Sequence, residues 1–316
     1  MSQLDAVTGA FSYSGAAIAR DLIARGHQVR TLTGHPGRAP AGTPIDCRPL
    51  DFSDSDGLRK SLTGVHTLYN TYWVRFAHGP VNHEAAVANS RVLFAAAATA
   101  GVQRIVHVSI TNPSRDSPDP YFRGKAAVEQ ALADIHVPSY AIARPAVLFG
   151  GDGVLLNNIA WLLRHLPVFA IGGRGDYRLR PIHIDDLAAL CVSLGERTDI
   201  DVVDAVGPES LTFRQLVETI RAAVGSRSVL VPVPGTVIPV LAGVLNLALH
   251  DELLTADEYA SMAAGRADSA APATGTIAVT QWVADHGAEL GRRYANELDR
   301  HFRAVQTATG GSRPGR

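Results

Sequence analysis

The feature that most constrains this chain is its opening: a short apolar run, LDAVTG at 4–9, passes through AFSYSG into a helical pattern from Ala16 to Arg25, which Gly26 stops. A strand that turns on glycine straight into a helix begins a parallel sheet, because the next strand then needs a crossover to pair with the first. The alternation continues for 150 residues. QVRTLT (28–33), IDCRPLDF (45–52), VHTLYNTY (65–72), RIVHVSI (104–110) and SYAIARPAVLFG (139–150) read as strands two to six. Helices are predicted from a Ser53/Asp54 cap to about Leu62, from Asn82 to Ala100 with Gly101 closing, and from about Tyr121 to Ile135. The fifth strand is apolar throughout, as expected where helices cover both faces of a sheet. The predicted class is therefore α/β, a doubly wound parallel sheet.

After Gly150 the rhythm changes. Helices are expected near 155–165, 185–196, 212–224, 236–249 and 287–305, mixed with Pro/Gly-rich loops, and they read as a smaller, mostly helical lobe. The apolar stretch VIPVLAGVLNLAL (237–249) is too short to span a bilayer and fits a buried or interfacial helix. With 46% apolar and 19% charged residues the chain has the material for a core, and a net charge of −1 offers nucleic acid or an anionic membrane no electrostatic reason to bind. The start MSQLDAVTGAF lacks the pattern of a secretory signal, and the distant Cys47 and Cys191 fit no metal spacing. Cytoplasm is the expected compartment.

The turn Thr8-Gly9-Ala10-Phe11-Ser12-Tyr13-Ser14-Gly15 carries the chemistry. Gly9 permits the tight turn, Gly15 lets helix and strand approach, and the helix N-terminus offers free N–H groups to a pyrophosphate. Ser12 stands where the middle glycine of the dinucleotide fingerprint usually sits. Asp51-Phe52 ends the third strand, where a carboxylate can accept from an adenine amino group. The second strand ends at Thr33-Gly34-His35, without the acidic residue that grips a ribose 2′-hydroxyl. His35 and Arg38 suit a 2′-phosphate instead, so NADP is expected ahead of NAD, unless both are ordinary loop residues. Thr71 at the end of the fourth strand completes the expected cofactor contacts with Gly9, Phe11, Ser12, Tyr13 and Gly15.

Tyr121 and Lys125 stand one helical turn apart on one face. A lysine ammonium beside a phenol lowers its pKa toward a useful general acid or base. Only Lys60 and Lys125 are lysines among 29 basic residues, so a lysine at this position is a strong signal. From here the chain resembles the short-chain dehydrogenase/reductase superfamily, in its extended and atypical branch with a Rossmann domain. The resemblance rests on VTGAFSYSG (7–15), LDF (50–52), AGVQRIVHVSI (100–110), YFRGK (121–125), ARPAVLFG (143–150) and RPIHIDDLA (180–188), and covers about two-thirds of the chain. TLYNTYWVRF (67–76) and HVSITNPS (107–114) are most similar to NmrA-type proteins and to the NADPH-holding accessory subunit of respiratory complex I.

The resemblance implies hydride transfer, with Tyr121 as proton donor or acceptor and Lys125 as its partner and ribose ligand. Ser109 or Thr111 is the third member. Ile110 stands where many relatives carry the hydroxyl, a departure that bears on catalysis and not on cofactor binding. It also implies a Rossmann domain over 1–150 with 181–206 returning to it, a substrate lobe over 151–306 and a disordered tail at 307–316. Tyr72, Trp73 and His78 follow the fourth strand at the carboxyl edge, and Asn157 and Arg178 belong by analogy to the substrate lobe. His183, Asp185 and Asp186 lack a third ligand for a metal, and Asp185 is expected to cap the following helix. The expected function is an NAD(P)-dependent oxidoreductase acting on a small or medium, largely apolar carbonyl, alcohol or quinone. Epimerisation or dehydration by transient oxidation, and a non-catalytic NADP(H)-binding sensor or structural subunit, are the alternatives. The partner is a small molecule; oligomeric state stays open, a homodimer among the options.

Overall fold

Successive strand residues point to opposite faces of a sheet, and here both faces are apolar. In the computed structural model, which describes residues 3–34, 36, 39–75 and 81–296, that double requirement is met by helices on each side. The elements run β1 (Leu4–Thr8), α1 (Tyr13–Ala24), β2 (Gln28–Thr33), β3 (Asp46–Pro49), α2 (Ser55–Leu62), β4 (Thr67–Asn70), α3 (His83–Ala100), β5 (Arg104–Val108), α4 (Pro120–Asp134) and β6 (Ser139–Pro145). Val7, Val106, Ala141 and Ala143 face one core, while Ala6, Ile105 and Ile142 face another with Leu58, Leu62, Leu93, Phe94, Val128 and Leu132 from α2, α3 and α4.

Past Pro145 the chain leaves the sheet. β7 (Leu148–Phe149), α5 (Val154–His165), β8 (Val168–Gly172), β9 (Arg178–Leu179) and β10 (Ile182–His183) lead to α6 (Ile184–Gly195) and β11 (Asp201–Ala205). β11 pairs parallel with β6, giving a seven-stranded parallel sheet in the order β11-β6-β5-β4-β1-β2-β3. α6 packs on α1, where Leu187, Cys191 and Leu194 share a core with Ile18 and Leu22. β12 (Leu211–Thr212), α7 (Phe213–Ala223), β13 (Val229–Val233), α8 (Ile238–Leu249), α9 (Ala256–Ala263) and α10 (Val279–His286) follow. α5, α7 and α10 build a separate core around Phe149, Leu156, Leu163, Leu216, Ile220 and Val283.

Four expectations need correction. The run 139–150 is not one strand: β6 ends at Pro145, which has no N–H to continue a ladder, and β7 pairs with β10 instead. Of the helix expected near 287–305, residues 297–305 lie outside the described residues and 287–296 form no helix; the last described helix is α10, which ends at His286. Gly287 ends it, and Gly291 takes φ 72° against α5, where an added Cβ would lie 2.4 Å from the Trp161 nitrogen. His183, not Asp185, caps α6: its Nδ1 accepts from the Asp185 N–H at 3.2 Å, while Asp185 pairs with Arg20. α8 buries only Ile238 and Ala242, leaving Val240, Leu241, Val244 and Leu247 exposed, which removes the buried alternative of that expectation and leaves the interfacial one. Among the described residues no helix is long and apolar enough to cross a membrane.

Candidate active site

Gly9 adopts φ 67° at the end of β1, a conformation that L side chains rarely take. Ser12 N–H and Oγ both donate to the Gly9 carbonyl, at 2.8 and 2.6 Å. A Cβ at Gly15 would sit 2.2 Å from that same carbonyl oxygen, so only glycine lets α1 start so close to the strand. Ser12 is the N-cap of α1 and makes no side-chain cap bond. By contrast Asp54, Asn82 and Asp119 cap α2, α3 and α4 with their own oxygens. The opening turn of α1 thus presents backbone N–H groups and the positive end of a helix dipole at the carboxyl edge of the sheet. Such a turn is a cradle for a dinucleotide pyrophosphate, and the residues present fit one.

Of the other predicted cofactor residues, Phe11, Tyr13 and Thr71 belong to this turn or bond to it. Half-buried Phe11 lies in it, and the Tyr13 hydroxyl donates to the Gly150 carbonyl at 2.7 Å, tying the turn to the end of β7. Thr71 is bolted to β1: its N–H donates to Thr8 Oγ1 at 2.7 Å and its hydroxyl to the Thr8 carbonyl at 2.6 Å. Asp51 is exposed, and Ser53 donates its N–H and hydroxyl to Oδ1, holding the carboxyl below its ordinary value. The Phe52 ring meets the Tyr72 ring at 4.7 Å, and the Tyr72 hydroxyl accepts from Asn89. His35, Arg38 and His78 lie outside the described residues.

Beside the turn, α4 brings Tyr121 and Lys125 to the ends of β4 and β5. Asp119 caps the helix through the Tyr121 N–H at 2.8 Å. Lys125 is 3% exposed, and its Nζ donates to the Val108 carbonyl at 3.0 Å. Burial brings its pKa from the ordinary lysine value of 10.5 down to about 7, partly countered by Glu129. The Trp73 indole lies over that ammonium, 4.7 Å from Nζ, stacks on His83 and meets Tyr121 edge-on at 5.7 Å. It reaches α4 only because position 124 is glycine, whose Cβ would lie 2.7 Å from the indole.

The Tyr121 phenol departs from the sequence expectation. Desolvation, helped by the Glu258 carboxylate, holds it well above its ordinary value instead of lowering it. Lysine and phenol occupy one face, but Nζ is turned to the strand and the Trp73 ring.

Of the two hydroxyl candidates, Thr111 donates to the Arg266 carbonyl at 3.0 Å and fastens the lobe. Ser109 is 4% exposed and its Oγ is buried without a partner among the described residues. A buried orphan hydroxyl calls for an acceptor or donor from outside the chain. Asn157 and Arg178 lead elsewhere. Asn157 donates to the Arg293 carbonyl and accepts from Gly291 N–H, while Arg178 holds Ser210.

Sequence reading missed two parts of the site. Asn70 accepts from Thr8 Oγ1 and Tyr72 N–H on its oxygen, so its amide nitrogen donates to His107 Nδ1 at 3.1 Å. Burial first, and the Lys125 charge second, hold the His107 imidazole well below its ordinary pKa. This polar chain runs from Thr8, at the start of the glycine turn, to His107, whose neighbour Val108 accepts from Lys125. A histidine inside the apolar run RIVHV was its signal. The second part is α9, which roofs Tyr121: Arg75 donates to Glu258 at 2.8 Å, and Ser261 donates to Asp119 at 2.7 Å. Its signal was the capping box Thr255–Glu258.

The architecture is that of the NAD(P)-binding Rossmann reductases and epimerases. No family model matches the sequence. By sequence the chain is similar to the 40 kDa subunit of mitochondrial NADH-ubiquinone oxidoreductase from Neurospora crassa, 29% identical over 159 residues, or 50% of this chain and 41% of that one. The chain spans about half the length of the subunits of this kind that it matches. By structure it is similar to triphenylmethane reductase of Citrobacter sp., crystallised with NADP(H), at 20% identity and TM-score 0.73, covering 90% of this chain and 99% of that one. It is equally similar to the NADPH-dependent quinone oxidoreductase of Escherichia coli, crystallised with NADPH, at 21% identity and TM-score 0.73 with the same coverage. The resemblance to the extended and atypical short-chain dehydrogenase/reductase branch therefore stands.

Proposed function

We propose that this chain is an NADP(H)-dependent oxidoreductase that reduces an apolar carbonyl or quinone. One observation carries the reading: the Gly9–Gly15 turn opens an uncapped helix at the carboxyl end of β1, and on the other face of the sheet α4 brings Tyr121 and Lys125 to the same edge, where Lys125 bonds to the end of β5. The two similar solved structures hold NADP(H), which supports the choice of cofactor. When bound, NADPH supplies a hydride. Tyr121 then supplies the proton, its phenol being protonated at neutral pH. Ser109 offers the orphan hydroxyl to the substrate oxygen. Lys125 holds the ribose once the Trp73 ring yields its place. Trp73 and Tyr72 bound the apolar side of the site.

A second reading has its own observation. Lys125 already bonds to Val108 and is covered by Trp73, an arrangement that suits a chain holding the nucleotide without turnover. Two measurements separate the readings. Titration of intrinsic fluorescence with NADPH and NADH tests the cofactor, NADPH binding more tightly. NADPH oxidation with a quinone panel then tests turnover. In Tyr121→Phe affinity is retained and turnover falls by a factor of about 100 or more. Equal function in that variant overturns the enzymatic reading, and absent nucleotide binding overturns both.

A further inference from the structure

On the substrate side of α4, beyond Thr111, lies an open cavity of about 450 Å³ lined by Asn112, Arg266, Asp268 and Ser269. Its wall is rigidly hung. The Arg266 carbonyl accepts from Thr111 Oγ1 and Asn112 Nδ2, the Asp268 carbonyl accepts from Asn112 Nδ2, and Arg180 donates to the Ser269 carbonyl at 3.0 Å. Asn112 takes φ 54°, an uncommon conformation for a residue with a side chain.

Within this frame the Arg266 side chain is half-buried, its guanidinium 5.3 Å from the centroid of Phe122, whose ring in turn lies 5.8 Å from that of Tyr121. Partly buried arginines are ordinarily paired. Arg266 has no carboxylate at ion-pair distance among the described residues. The carboxylate that lines the same cavity, Asp268, is occupied: Ser210 donates to it at 3.0 Å, and Arg178 stands 3.8 Å away. An arginine that lines a cavity, has no carboxylate partner among the described residues and lies over an aromatic ring one residue from the proton donor suits an oxyanion.

We propose that Arg266 forms an anion subsite that recognises a carboxylate or sulfonate on an otherwise aromatic substrate, which rests on the oxidoreductase reading for the identity of the reacting group. The carbonyl would lie toward Ser109 and Tyr121 and the anionic substituent toward Asn112 and Arg266.

The test has a binding arm and a turnover arm. Calorimetry compares 2-naphthalenesulfonate with its neutral analogue 2-naphthyl methyl sulfone. The wild-type protein is expected to bind the sulfonate about tenfold or more tightly. Arg266→Met, which keeps an unbranched side chain against Phe122, erases that preference, while Arg266→Lys retains part of it and controls for folding. A wild-type protein with no preference for the sulfonate, or a preference that survives in Arg266→Met, overturns the proposal. In the turnover arm, kcat/KM with NADPH and 1,4-naphthoquinone-2-sulfonate falls about tenfold in Arg266→Met, while menadione changes less than about twofold. If neither quinone is reduced but the binding preference holds and depends on Arg266, the oxidoreductase reading fails and the subsite stands. If both are reduced and Arg266→Met treats them alike, the subsite fails and the reading stands.

Discussion

Lys125 shows how much one buried side chain dictates. Its ammonium has lost water on nearly every side and keeps one carbonyl and one aromatic face in return. Between about pH 7, where the folded protein releases this proton, and 10.5, where the unfolded chain does, the unfolded state binds more protons. This residue therefore makes stability rise with pH across that window and contributes no slope below it. Lys125→Met is expected to remove the rise, which urea unfolding at several pH values would read as a difference between the two proteins. A flat difference from pH 7 to 10 contradicts the buried-ammonium account. Gly15→Ala forces a Cβ against the Gly9 carbonyl and is expected to cost about 1–3 kcal/mol and weaken NADPH more than tenfold, measured by unfolding and by fluorescence titration. Both residues were legible, because glycine spacing and the Tyr/Lys interval are local. What was not legible was where Nζ points, since that depends on Trp73, which arrives from fifty residues upstream.

At the scale of elements, the site is two layers: a turn and helix from the sheet, and α9 laid across them. α9 is tied to the site by two polar contacts, Arg75 with Glu258 and Ser261 with Asp119, and packs through Tyr259 and Met262. Ser261→Ala leaves the buried Asp119 oxygen without its donor, and is expected to cost about 1–3 kcal/mol of stability. Because Asp119 still caps α4 through its other oxygen, the variant should raise KM for a quinone more than it lowers kcat; steady-state kinetics checks this. Six of the sheet's seven strands were readable from short apolar runs, since each packs against helices close in sequence, while β11 was expected only as part of a segment returning to the domain. β8 and β13 were not, because each is a five-residue run whose only ladder partner lies some sixty residues away. Pro232 in the second of them argued against a strand altogether, yet a two-stranded ladder has free edges where proline is tolerated. The capping box of α9 was present in plain view, but nothing in eight residues said what the helix would cover.

For the whole molecule, three cores are stitched together by a chain that crosses between them more than once. A nucleotide that binds only the folded state should raise the melting temperature with the logarithm of its concentration over Kd, adding roughly 2.7 kcal/mol of stability at a hundredfold excess. Thermal denaturation with NADPH and NADH would rank the two cofactors without any substrate; a larger shift with NADH contradicts the choice made here. The helix expected near 287–305 does not form over 287–296, because Gly287 and Gly291 are required for close approach to α7 and α5, a tertiary demand that no local pattern announces.

The late arrival of β11 also sets an order of events during synthesis. When residue 150 leaves the ribosome, six strands are available but α1 has no cover: Ile18, Leu22 and the hydroxyl end of Tyr69 await Leu187, Cys191 and Gly195. The nascent nucleotide fold stays unsealed on one flank until about residue 205 has emerged, and during that interval its greasy side is the surface that chaperones would meet.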